Sequence, residues 1–150
     1  VRTDGLRPYA WHRLRRCRLP AWAEAGLVAA VASGIPSTVL TAARGEDLLE
    51  SSRAVGAMLL PREERPAVLL AAAAPVHLGL SLGWAAVIGA VLPRGREPLW
   101  GTLGGVAIAA LDLGLIGRRI PAIRDLPQGR QWADHLAYGL AVGLVLRARR

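Results

Sequence analysis

Residues 67–92 read AVLLAAAAPVHLGLSLGWAAVIGAVL, and from Ala67 to Leu92 there is no formal charge. At 1.5 Å rise per residue a helix of this stretch is about 39 Å long, against a hydrocarbon core of about 30 Å. Its apolar residues show neither the alternation of a strand nor a one-sided stripe; they surround the helix, as suits a segment buried in lipid. A transmembrane helix is the reading, and it sets the class of the whole chain.

Working outward, the turn from Pro93 to Pro98 is too short for anything but an antiparallel return. Leu99–Gly117 then reads as a further span, clean except for Asp112. A polar loop with Pro121 and Pro127 follows, and a last span is expected over 128–146, although its apolar part is short of the roughly 20 residues usually needed. Upstream, Ala21–Ala43 is opened by Trp22 and interrupted by Gly34 and Pro36. Pro36 predicts a kink, with Ser37, Thr38 and Thr41 placed to satisfy the backbone groups it frees. Residues 46–60 mix Leu48, Leu49, Val55, Met58 and Leu59 with Glu50, Ser51, Ser52 and Arg53, which predicts a short amphipathic helix lying on the membrane or capping the bundle. The expected fold is therefore all-α: a polytopic bundle of four transmembrane helices at about 21–43, 67–92, 99–117 and 128–146. A basic tail (1–20) precedes it and another (147–150) follows.

Composition agrees with that class. The 150 residues are 53% apolar and yet carry a net charge of +8. The charges come in blocks between long neutral stretches, unlike the mixed charge of soluble domains. A basic balance ordinarily raises nucleic acid as a partner. Here the arginines flank apolar spans and the tryptophans sit near span ends, so the bilayer is the expected partner and nucleic acid is not. All nineteen basic residues are Arg, and Ala, Gly and Leu dominate, which points to a GC-rich bacterial genome and an inner-membrane location. The single cysteine, Cys17, excludes an intrachain disulfide and a cysteine-based metal site.

Arginine counts in the flanks favour both termini in the cytoplasm. A rival reading takes the N-terminus as a secretory signal cleaved after Thr41-Ala42-Ala43. The apolar run is long for that, since signal cores span about 7–15 residues.

Ionisable groups inside spans cost about 2.5–3.5 kcal/mol each at the centre on insertion scales, so each asks for a reason. Glu24 sits at a span end beside Trp22, where solvation or a neighbouring Arg explains it. His77, Asp112, Asp134 and His135 lie deeper, at similar levels if the last helix returns antiparallel to the one before it. An Asp112–His135 or Asp112–His77 hydrogen bond is then feasible, either keeping the carboxylate charged or letting the pair share a proton. The reading that asks least is interhelical hydrogen bonding that holds the bundle together. The sharper one is a proton relay or ion-binding point, for which pumps and transporters use these residue types. A metal or haem site is poorly served, because no helix carries a paired His spacing. No cofactor is expected, and no nucleophile elbow, P-loop, dinucleotide fingerprint or zincin motif is present.

Small residues one turn apart recur as Gly79 with Gly83, Gly101 with Gly105, and Gly139 with Gly143. Such faces let helices approach closely, within one chain or between copies of it. The run from Pro75 to Trp84, with the later Asp134-His135-Leu-Ala-Tyr-Gly139 run that continues to Gly143, resembles small four-span inner-membrane proteins of bacteria that have no assigned activity. That resemblance implies a topology and no site residue. Two function classes follow: a non-catalytic bundle acting through helix packing or partner contacts, or a small oligomeric transporter or proton-coupled permease using the intramembrane His and Asp residues.

Overall fold

The computed structural model describes residues 19–150. The basic tail up to residue 18, with Cys17, lies outside the described residues. From Leu19 on the chain is helical: α1 (Ala21–Ala32), α2 (Ile35–Ala43), α3 (Glu50–Ala57), α4 (Pro66–Val91), α5 (Glu97–Leu111), α6 (Pro121–Arg124) and α7 (Gln128–Arg149). A π-helical turn (Asp112–Ile116) and a short 3-10 turn (Gly117–Arg119) continue α5.

Among the described residues three helices are long and apolar enough to cross a membrane: Ala21–Ala43, made of α1 and α2, Pro66–Val91, and Glu97–Arg119. The expected four-span count is therefore corrected to three candidate spans; 128–146 is not long and apolar enough to count as a fourth, although α7 runs back through the bundle. The physical reason lies in α7 itself. Its first two turns carry Gln128, Arg130, Gln131, Asp134 and His135, and its last turn Arg147 and Arg149. The uninterrupted apolar part runs only from Leu136 to Leu146, about 16 Å at 1.5 Å per residue. This helix is accommodated by the bundle rather than by lipid, with Tyr138, Gly139, Val142, Gly143 and Leu146 buried.

α7 runs antiparallel to α5 and to α1–α2, and α4 is antiparallel to α1. One end of the bundle thus gathers Leu19, the α4–α5 turn and the end of α7, where Arg149 pairs with Glu24 at 3.1 Å and donates to the Leu19 carbonyl at 3.3 Å. The opposite end carries α3, α6 and the start of α7. Gly95 and Arg96 take positive φ (78° and 61°) in the α4–α5 turn, where the Gly95 N–H also meets the Glu97 carboxylate at 3.1 Å.

The closest helix contact is α5 on α7. A methyl group placed on Gly101 would land on the Gly139 carbonyl, one on Gly105 on the His135 carbonyl, and one on Gly143 on the Glu97 carbonyl. Only glycine allows this approach. Gly79 and Gly83 differ: they face outward from α4, with nothing within 4 Å of an added methyl. One apolar cluster centres on Ala25, Ala85, Ile108 and Val142, and a second on Ala54, Ala109, Leu113 and Ile123 beneath α3 and α6. Large apolar side chains are exposed around the outside, Val31 at 78% and Val91 at 70%, as a lipid-facing surface requires.

Candidate functional site

The first span is broken. Pro36 has no N–H, so the Ala32 carbonyl loses its helical donor, and the chain turns at Ser33 and Gly34 between α1 and α2. Groups freed at the break are met from two other helices. On the α1 side, the Ala30 carbonyl accepts from His77 Nε2 of α4 at 2.8 Å and from the Ser33 hydroxyl at 3.3 Å. On the α2 side, the Ser37 backbone N–H donates to Asp134 Oδ1 of α7 at 2.9 Å. Ser37 is the third residue of α2, one of the positions whose N–H has no helical acceptor, and a carboxylate there also suits the positive end of the helix dipole. His77 and Asp134 therefore act as caps supplied in trans to a discontinuous span.

Facing this break is Asp112, at the first position of the π-helical turn. Such turns re-aim side chains and are frequent at functional sites. Asp112 Oδ2 accepts from the Trp84 indole N–H at 3.2 Å and lies 3.7 Å from His135 Nε2. The His135 ring is oriented by its other nitrogen, which lies 2.8 Å from the Gln131 carbonyl, so Nδ1 is the donor. With Nδ1 protonated, Nε2 presents a lone pair to Asp112 unless a proton sits on one of the two groups. The glycine seam is what brings them together: Gly105 rests on the His135 backbone two turns before Asp112.

His77, Asp112, Asp134 and His135 all line one cavity of about 530 Å³. It lies between α2, α4, α7 and the π turn, in the half of the bundle opposite Leu19 and Arg150, with α3 along its open side. Hydroxyls of Ser33, Ser37, Thr38 and Thr41 and the rings of Trp84 and Tyr138 share its wall with aliphatic residues. Tyr138 donates to the Ser81 carbonyl, tying α7 to α4. Asp112 contacts His135 and not His77, whose ring is engaged at the helix break.

Four participants were not singled out from sequence. Arg130, at the entry to the expected last span, is buried on α7, bonds Thr41 Oγ1 at 2.6 Å and Glu46 at 2.5 Å, and its Nε has no partner among the described residues. Its spacing from Asp134, four residues along one helix face, is the signal that would have found it. Glu46, Trp84 and Tyr138 gave no such signal, because their roles depend on which way each helix faces. Outside the spans, Glu63 is held down to about 2 by hydrogen bonds from the Arg65 side chain and backbone. Among the described residues no group of three His, Cys, Asp or Glu side chains is placed to hold a metal ion.

No family model matches the chain, and neither the curated proteins nor the solved structures contain a match to it. The resemblance to small four-span inner-membrane proteins is overturned by that result. In the runs that carried it, His77 caps α1 and Gly139 and Gly143 belong to the α5–α7 seam, while Gly79 and Gly83 face outward from α4. What stands is a multi-pass membrane bundle with a polar cavity in one half.

Proposed function

We propose that this bundle is a small proton-coupled permease of a bacterial inner membrane, with both chain ends on the cytoplasmic side and no enzymatic reaction of its own. The observation that carries the reading is the Asp112–His135 pair, 3.7 Å apart on the wall of a cavity of about 530 Å³, beside a broken span. Secondary transporters place their sites at discontinuous helices near the bilayer midplane, where unwound backbone and facing side chains meet the solute. A single proton shared by Asp112 and His135 is a charge that the cavity can gain or lose as it changes the side it faces. The test is accessibility. In a Cys17→Ser background, Thr38→Cys puts one thiol on the cavity wall. A permease exposes it to an impermeant thiol reagent from both membrane faces in turn, and Asp112→Asn biases it to one. Labelling from one face alone, at every pH and in both backgrounds, sinks the reading.

A second reading, a bundle that works through partner contacts, draws support from Gly79 and Gly83, whose surface on α4 is open. It predicts one-sided labelling and a change in oligomeric state on Gly83→Leu.

A further inference from the structure

The cavity wall is unbalanced in charge. Its single arginine, Arg130, is already held by Glu46 at 2.5 Å and by the Thr41 hydroxyl at 2.6 Å. At the mouth, Asp47 is taken by Arg53. Glu50, also at the mouth, and Asp134, deeper in with His77 and His135 as its neighbours, form no ion pair within 4 Å among the described residues. Asp112 has His135 alone. Asp112 uses Oδ2 for Trp84 and His135, and Asp134 uses Oδ1 for the Ser37 backbone N–H.

Carboxylates held inside a bundle call for a counter-charge. An anionic solute is disfavoured, because Glu46 already neutralises Arg130, whose free Nε is buried, and the carboxylates of Glu50, Asp112 and Asp134 on the wall would repel it. A bare metal ion does not fit either: no three ligating groups converge among the described residues, and a hard cation would leave the aromatic and aliphatic wall unused. Trp84 and Tyr138 line the cavity, aromatic side chains of the kind whose ring faces attract a positive charge, and Leu70, Leu80 and Ile108 supply an apolar bed for what carries it. The volume of about 530 Å³ falls in the range of sites that enclose a drug-sized molecule.

We infer that the cavity takes an organic cation, an ammonium or phosphonium centre on an apolar or aromatic body, with Asp112 and Asp134 as its counter-charges. This rests on the permease reading for the direction of movement and names what that cavity holds.

The probes are tetraphenylphosphonium and tetraphenylborate, ions of the same shape and opposite charge. Each is titrated by equilibrium dialysis against the full chain in phosphatidylcholine nanodiscs, with empty discs subtracted. The expected result is saturable binding of the phosphonium, one per chain, and none of the borate. Asp112→Asn weakens phosphonium binding about tenfold, the equivalent of about 1.4 kcal/mol, while Asp112→Glu retains it. Asp134→Asn, whose amide oxygen still caps Ser37, weakens it too and keeps the test open should Asp112→Asn not fold. Borate binding as tightly as the phosphonium overturns the inference, as do wild-type affinity in both Asn variants and the lack of saturable binding by either ion. The two claims fail separately. Two-sided labelling of Thr38→Cys without phosphonium binding removes only the cation, whereas binding with one-sided labelling removes only the transport.

Discussion

The Asp134 carboxylate on α7 accepts the Ser37 backbone N–H at 2.9 Å, across 97 positions of sequence, and so caps the second half of a broken span. The bond fixes where the break lies and what an Asp134 variant should do. Asp134→Ala removes the cap and is expected to cost about 1 kcal/mol, the usual worth of an N-cap acceptor. Asp134→Asn, which keeps an acceptor oxygen, should stay close to wild type. Thermal unfolding in detergent, followed by circular dichroism, checks both, and equal losses in the two variants would show that the charge and not the cap matters.

His77 does the same for the first half of the break. His77→Ala leaves the Ala30 carbonyl with the Ser33 hydroxyl alone, at 3.3 Å. The expected loss is about 0.6 kcal/mol, the average found for interhelical hydrogen bonds in a membrane bundle. His77→Gln, which can still donate, should recover part of it. Because His77 is engaged at the break and not with Asp112, two-sided labelling of Thr38→Cys should survive His77→Gln. Its disappearance would put His77 in the proton path.

Depth along a helix was legible in the sequence; direction around it was not. Ionisable residues inside apolar stretches singled out His77, Asp112, Asp134 and His135, and all four line the same cavity. Which of them pair depends on helix rotation, so the sequence alone left Asp112–His77 and Asp112–His135 both open. The helical class was legible from Ala67–Leu92, where hydropathy is unbroken. The number of spans was not, because α7 gains in the bundle the burial its sequence lacks for lipid. Arg130 was hidden for a related reason: an arginine at the edge of an apolar run reads as a flank until Thr41 and Glu46 are seen around it.

Arg130 predicts an asymmetry. Its side chain is 9% exposed and that of Glu46 39%. Loss of Glu46 lets water screen the guanidinium from the mouth, so Glu46→Gln should cost no more than about 1 kcal/mol. Arg130→Ala empties a buried position and strands the Thr41 hydroxyl, and should cost more, towards the roughly 3 kcal/mol seen when buried pairs are broken. Equilibrium unfolding in mixed micelles measures the difference. Equal costs would place the pair in solvent.

Glu63 provides a check on where water begins. The Arg65 side chain and backbone hold its carboxyl at about 2, below the ordinary value of 4.5. A folded-state value below the unfolded one contributes stability that is present above 4.5 and is lost as the pH falls through about 2. The pair is solvent-facing, so the effect on stability is small, and the site titration is the better readout. Carboxyl-labelled Glu63 should titrate near 2, and Arg65→Gln should bring it back towards the ordinary range. A midpoint near 4 in the wild-type protein would mean that the pair does not persist in solution.

The glycine seam ties stability to the site. Gly139→Ala drives a methyl group onto the Gly101 carbonyl, and Gly105→Ala onto that of His135. Neither obstacle is a side chain that can swing away, so α5 and α7 must separate, at an expected cost of about 1–3 kcal/mol for overpacking. Gly79→Ala meets nothing within 4 Å and should be neutral or stabilise by up to about 1 kcal/mol through helix propensity. The two seam variants differ in what else they disturb. Gly105 sets the separation of Asp112 from His135, so Gly105→Ala should widen that pair and bias Thr38→Cys labelling to one face even where the protein stays folded. Gly79→Ala serves as the matched control. If Gly105→Ala folds and labels from both faces as wild type does, the 3.7 Å approach of Asp112 to His135 is not what couples the cavity to either side of the membrane.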